Sequence, residues 1–377
     1  MLRKKWLVIV ICILGLFSSK EIAFATENKL SVSTPPISEE IKVYAKENVS
    51  FYLAGFLSLE NKTINTKDYD LLEPFQMVSE NNEQKTNIFP ITEDGVVTYV
   101  LYLNESVEGS YDIKISKFLA EKLESLRAEK RNEDSVSFIE KNGDIYIKHG
   151  SQIEKIYVSP LRPETEDQVT SDSLNTEFET ADTETLPLET LSDVKPTPNI
   201  GQRSITSDRY GTKINWLVHE TQGQNSWCSA YAAAMILNNK NDARPTKVSD
   251  MVKWGKKGKN DAFSYTDVIK YANTRGVYPY YVGRPMNWNE VETQIKKSNA
   301  IWGAWEGISG KDYKGLWHAI DIVGTYQTPI WGLVGVTQVA YVVWNPWYGG
   351  LELCNADNNT YSVIGGTFAW RYSVTNW

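Results

Sequence analysis

Thr221-Gln222-Gly223-Gln224-Asn225-Ser226-Trp227-Cys228-Ser229-Ala230-Tyr231-Ala232-Ala233-Ala234 passes from a polar, glycine-bearing loop into a run of strong helix formers. Asn225 or Ser226 can cap the helix, because a side-chain oxygen there accepts from the free N–H groups of the first turn. Cys228 then stands in that turn, where the helix dipole favours a thiolate. Gln222, just upstream, carries a side-chain amide that can donate. A nucleophile with an amide donor close by is what acyl transfer requires.

Two later segments complete a constellation. Trp317 to Gly324 reads as a strand that opens on His318, the single histidine after Cys228. Val339 to Trp344 reads as another, closed by Asn345-Pro346-Trp347. Each has an ordinary reading, as a strand histidine and as an Asn-Pro turn. With Gln222 and Cys228 upstream, the four positions in this order resemble papain-like cysteine peptidases. The nearest resemblance is to the staphopains, secreted bacterial members of that clan, and it covers residues from about 210 to 377.

That resemblance implies hydrolysis of peptide bonds through a thioester on Cys228. His318 would be its acid–base partner and Asn345 would orient the imidazole. Gln222 would line the oxyanion hole, while Trp227 and Trp347 would support the site, Trp347 by shielding the His318–Asn345 bond from water. It implies no cofactor and no metal, protein or peptide substrates, and a small dedicated inhibitor protein as a partner. Two features depart from the family pattern. Two residues separate Gly315 from His318, and Cys354 falls outside the catalytic set. Alternatives from the same residues are a cysteine-dependent acyltransferase or amidase, or a peptidase for one leader peptide. A non-catalytic surface-binding protein using exposed tryptophans is the alternative of another class.

The order of elements around these residues predicts an α+β, papain-like domain over 201–377. Helices are expected at Trp227–Leu237, Lys247–Trp254, Ser264–Thr274 and Asn289–Lys297, with antiparallel strands after them and a cleft between the two parts. Ile214–Val218 reads as a short strand before them. His219 reads as a partly buried polar residue near the cleft. Lys256-Lys257-Gly258-Lys259 reads as a solvated turn rather than a nucleic-acid contact. Thr325–Gln338 reads as a hairpin of unassigned role.

The first half is different material. Residues 26–199 hold 17 Lys+Arg and 33 Asp+Glu, a balance of 17 − 33 = −16; residues 200–377 hold 18 and 13, a balance of 18 − 13 = +5. Twelve of the thirteen tryptophans lie at or after Trp216. Opposite charge would draw the halves together. Residues 1–25 read as a cleaved export signal: basic Arg3-Lys4-Lys5, an apolar run from Trp6 to Phe17, and the small-x-small site Ala23-Phe24-Ala25. The apolar run is too short to serve as a membrane anchor, so secretion is expected, and the staphopain resemblance implies a bacterial source. Once Cys12 leaves with the signal, Cys228 and Cys354 remain as free thiols. They and the dispersed His149, His219 and His318 do not make a metal site.

Residues 26–160 are expected to form a separate, mostly β domain. Residues 26–41 read as mobile, Val49–Leu59 as a strand, Gly95–Leu103 as a strand and Ser116–Arg131 as a helix. Val136–Glu140, Asn142-Gly143 and Ile145–Ile147 form a hairpin signal, since Asn-Gly accepts the positive φ of a tight turn. Gln152–Val158 adds a strand, and His149 reads as a surface loop residue. Residues 161–200 read as an acidic, disordered linker with an activation cleavage region. The staphopain resemblance makes the N-terminal domain a propeptide and an intramolecular inhibitor.

Overall fold

The computed structural model describes residues 30–62, 69–79, 85–105, 111–129, 135–160, 183–191, 210–240, 245–329 and 337–377. The signal reading, most of the 161–200 linker reading with its cleavage region, and residues 330–336 of the Thr325–Gln338 reading lie outside them.

In the first half, β1 (Ser31–Thr34) leads into α1 (Glu39–Leu59). Short β2 (Tyr69–Leu71), β3 (Phe75–Gln76) and β4 (Val78–Ser79) follow. A meander of β5 (Thr86–Glu93), β6 (Val96–Glu105) and β7 (Tyr111–Ser116) precedes α2 (Ala120–Ala128). The predicted hairpin is β8 (Val136–Lys141) and β9 (Asp144–His149), turning on Asn142 at φ 54° and Gly143 at φ 82°. β10 (Gln152–Tyr157) adds to β9, and β11 (Glu184–Pro187) lies against β1.

The second half begins with β12 (Tyr210–Lys213), then α3 (Cys228–Lys240), α4 (Val248–Gly255), α5 (Tyr265–Thr274), β13 (Tyr280–Val282) and α6 (Trp288–Lys296). Six strands complete it: β14 (Ile301–Ser309), β15 (Trp317–Pro329), β16 (Thr337–Trp344), β17 (Leu351–Asn355), β18 (Thr360–Val363) and β19 (Gly366–Thr375). Ser264 and Asn287 start α5 and α6 with reciprocal capping boxes, each accepting from the third helical N–H.

The fold is α+β, but the two halves are not separate bodies. One antiparallel sheet runs β13-β19-β14-β15-β16-β17-β7-β6-β5-β2, joined where Leu353 and Cys354 of β17 pair with Ile115 and Lys114 of β7. Alternate residues sort its faces. Ala319 and Val323, Val342 and Trp344, Leu353, Ile113 and Ile115, and Leu101 and Leu103 share one core with α1, α3, α4 and α5. The opposite side chains of β14–β16 form a second core with α6. A third core is built from the first half, with Ile364 of the second half added to it. Helix α1 sits across the junction. A Cβ on Gly55 would come 2.5 Å from Leu353 Cδ2 and 2.8 Å from Tyr326.

Other expectations are also corrected. Val49–Leu59 is the buried end of α1, not a strand; a short, wholly apolar run carries no periodicity to tell the two apart. Within residues 26–41, Ser31–Thr34 is β1, and Ser38 caps α1 by accepting from Ile41 N–H. The acidic linker contains β11, with Leu188 and Leu191 buried. The strand expected at Ile214–Val218 lies earlier, at β12, and pairs with β15. His149 ends β9 half-buried, and His219 is exposed.

Candidate active site

Helix α3 is buried from Cys228 to Asn238, so its small alanines pack on every side. Cys228 is its first residue and is 8% exposed. The loop before it is held by named bonds. Trp227 N–H donates to Asn225 Oδ1 at 3.1 Å, and Ser226 N–H to the Lys259 carbonyl at 3.0 Å. The Trp227 indole donates to the Gly258 carbonyl at 2.8 Å. The basic turn thus fixes the loop through its backbone, a role that its charges did not announce.

Gln222 N–H donates to the Pro346 carbonyl at 2.8 Å, which ties the Gln222 loop to the Asn345 segment. Its side-chain Nε2 donates to the Asn225 carbonyl at 2.6 Å, leaving one N–H of that amide uncommitted.

His318, the second residue of β15, is 3% exposed. Its Nε2 lies 2.8 Å from Asn345 Oδ1. That oxygen also accepts from Trp347 N–H at 3.0 Å, while Asn345 Nδ2 donates to Tyr361 Oη at 3.1 Å. The orientation of the Asn345 amide assigns the proton of His318 to Nε2 and leaves Nδ1 as an acceptor. Trp347 stacks on the imidazole with ring centroids 3.9 Å apart and planes 24° apart.

The two candidates approach one another at β15: Ala319, next to His318, acts on the Cys228 thiol through its backbone. Burial raises the Cys228 thiol above its ordinary range, opposed by the hydrogen bonds of Ala319, Ser229 and its own amide. Burial also lowers His318, to about 3, opposed by the Asn345 bond. Both groups are thus held towards neutrality. A thiolate–imidazolium pair needs either mutual stabilisation or entry of solvent or substrate.

All six predicted positions therefore lie on one strip of structure. Cys228, Trp227 and Gln222 come from the start of α3 and its loop, His318 from β15, and Asn345 and Trp347 from the end of β16. Tyr361, which holds the far side of Asn345, was not anticipated, and nothing in its local sequence marks it among 21 tyrosines. Cys354 is a buried free thiol away from this strip, on β17. Among the described residues, no group of three His, Cys, Asp or Glu side chains is placed to hold a metal.

Residues 207–377 match the family described as Staphopain peptidase C47. Similar proteins include Staphopain A of Staphylococcus aureus (strain MSSA476), 22% identical over 363 residues, covering 92% of this chain and 89% of that protein. Another is the Extracellular cysteine protease of Staphylococcus epidermidis (strain ATCC 12228), 24% identical over 374 residues, covering 92% and 88%. The chain is a staphopain-like cysteine peptidase. It is a papain-like cysteine endopeptidase, a hydrolase of peptide bonds, and its substrates are proteins or peptides. Both relatives of this staphopain-like peptidase align over its N-terminal half as well as the catalytic one. Among the described residues, no helix is long and apolar enough to cross a membrane.

Proposed function

We propose that this peptidase is exported as a zymogen and cleaves peptide bonds through a thioester on Cys228. The observation that carries the proposal is the clamp on His318. Asn345 fixes Nε2–H, Trp347 covers the ring, and the next residue, Ala319, acts on the Cys228 thiol through its backbone.

In the reaction, Nδ1 of His318 takes the Cys228 proton and the sulfur attacks the scissile carbonyl carbon. The oxyanion receives the Cys228 N–H and the uncommitted Nε2–H of Gln222. His318 returns its proton to the leaving amine, giving a thioester and a free amine. It then removes a proton from water, which attacks the thioester and releases the acid and the thiol. Asn345 keeps the ring in plane, and Trp347 keeps water from competing for the Nε2–H bond.

The N-terminal half is the inhibitor in this proposal. Support comes from how it is seated: β7 extends the catalytic sheet through β17, and α1 covers the junction. Leu191 is buried against the first half, and β12 starts on β15, so a cut between them would break the covalent link between the halves and leave only the shared sheet and core to hold them. Export rests on the signal reading of residues 1–25 and on the name of the Staphylococcus epidermidis relative.

An epoxide inhibitor of papain-like enzymes tests the proposal on the full chain and on the chain cut between Leu191 and Tyr210. The proposal predicts labelling at Cys228 that increases on cutting and is lost in His318→Ala. Equal labelling of both forms would remove the inhibitory role, and no labelling of either would remove the thiol mechanism.

A further inference from the structure

Behind Asn345 a run of buried polar contacts leaves the catalytic half. Asn345 Nδ2 donates to Tyr361 Oη at 3.1 Å, and the Tyr361 hydroxyl donates to Glu352 Oε2. Glu352 Oε1 receives Lys114 Nζ at 3.0 Å. Tyr361, Glu352 and Lys114 are 1%, 1% and 5% exposed. They stand on β18, β17 and β7, so the last member belongs to the N-terminal half. The Lys114 ammonium also lies over the rings of Tyr361, Tyr102 and Tyr348, at 4.9, 5.2 and 5.3 Å.

The direction of each bond follows from the one before it. A carboxylate only accepts, so the Tyr361 proton is committed to Glu352. The Tyr361 oxygen can then only accept from Asn345, which places Nδ2 on that side and Oδ1 towards His318. Oδ1 requires the imidazole proton on Nε2, and Nδ1 is left as the base for Cys228. Trp347 N–H holds the same Asn345 Oδ1 from the other side, so Glu352 supplies the second of two constraints: without its charge the Tyr361 hydroxyl is free to turn and donate towards Asn345, and the hold on the tautomer weakens.

We propose that Tyr361 and Glu352 are positioning residues that set the His318 tautomer through Asn345, and that Lys114 is the counter-charge lent to them by the N-terminal half. The inference rests on the Cys228–His318 chemistry above and concerns its regulation. Departure of the N-terminal half would take the cation from a buried carboxylate, so retention of that half and the setting of the catalytic imidazole are coupled. Tyr102, Tyr157, Tyr348 and Cys354 also feel the Glu352 charge. Burial first, and then that carboxylate among other charges, raises all four, so they remain uncharged at neutral pH.

The test is the rate of Cys228 alkylation by iodoacetamide against pH, read by peptide mapping on the intact full chain. Tyr361→Phe keeps the ring and removes only the hydroxyl. It should slow alkylation at neutral pH by about tenfold and move the midpoint of the profile. Glu352→Gln should act in the same direction. Lys114→Met should slow the wild-type chain and have no further effect on Tyr361→Phe, because the link is already cut. If Lys114→Met does not fold, the Tyr361→Phe profile decides. A Tyr361→Phe profile superimposed on wild type would overturn the inference. So would a Lys114→Met effect that is equal with and without the Tyr361 hydroxyl. Failure of the underlying chemistry is seen separately, as a wild-type profile that His318→Ala leaves unchanged.

Discussion

Replacing Asn345 by alanine removes three buried partners at once. The His318 Nε2–H loses its acceptor at 2.8 Å, Trp347 N–H loses its own at 3.0 Å, and Tyr361 Oη loses a donor at 3.1 Å. During catalysis the imidazole is charged, and a hydrogen bond to a charged group is worth about 1.5–3 kcal/mol. At about 1.4 kcal/mol per tenfold in rate, kcat/KM should fall by about 10- to 150-fold. The pH profile should move as well. The Asn345 bond raises the His318 pKa against the lowering by burial, so its loss lets the imidazolium shed its proton at lower pH. The alkaline limb of kcat/KM should therefore shift downwards. Hydrolysis of a fluorogenic peptide from about pH 5 to about pH 9 reads both effects, with activity referred to the folded fraction. A kcat/KM within about threefold of wild type, or a fall with the alkaline limb unmoved, would refute this role for Asn345.

Three further perturbations follow from the same geometry. Trp347→Ala strips the ring stacked on His318 and opens the Nε2–H bond to water. It should lower kcat/KM about tenfold, with Trp347→Phe much milder in the same peptide assay. Asp321 is 0% exposed, neither of its oxygens has a hydrogen-bond partner among the described residues, and burial holds its pKa well above the carboxylate range. The unfolded chain sheds that proton first, so stability falls as pH rises above about 4. Asp321→Asn should gain about 1–3 kcal/mol in urea unfolding at neutral pH, and the gain should vanish at more acid pH. Gly55→Val drives a side chain into Leu353 and Tyr326, and should cost about 1–3 kcal/mol and ease proteolytic release of the N-terminal half.

What could be read from the sequence was local. An alanine run after a polar loop placed Cys228 at the head of a helix, and Asn142-Gly143 announced the β8–β9 hairpin. The strands that carry His318 and Asn345 were visible as apolar runs ended by proline or glycine. Contacts set by the fold were not. Ile115 pairs with Leu353 across more than half the chain, and neither strand carries a mark of its partner. Charge balance and tryptophan content made the halves look independent, whereas the structure joins them in one sheet. Val49–Leu59 misread because a helix buried on all sides loses the period that identifies it. Within the acidic stretch read as a linker, the described residues 183–191 hold β11, with Leu188 and Leu191 buried while charged neighbours such as Glu184 remain exposed. Lys114, Glu352 and Tyr361 are ordinary residues in sequence, and only β7 and β18 meeting beside β17 gives them a common purpose.

The central claim is that acyl transfer passes through the Cys228 sulfur. Acid quench of the active protein during turnover of a peptide ester, followed by peptide mapping, measures this directly. The account predicts an acyl mass increment on the Cys228 peptide, absent in Cys228→Ala and depleted in His318→Ala. An acyl group on Cys354 or on another residue, or continued hydrolysis by Cys228→Ala, would contradict it.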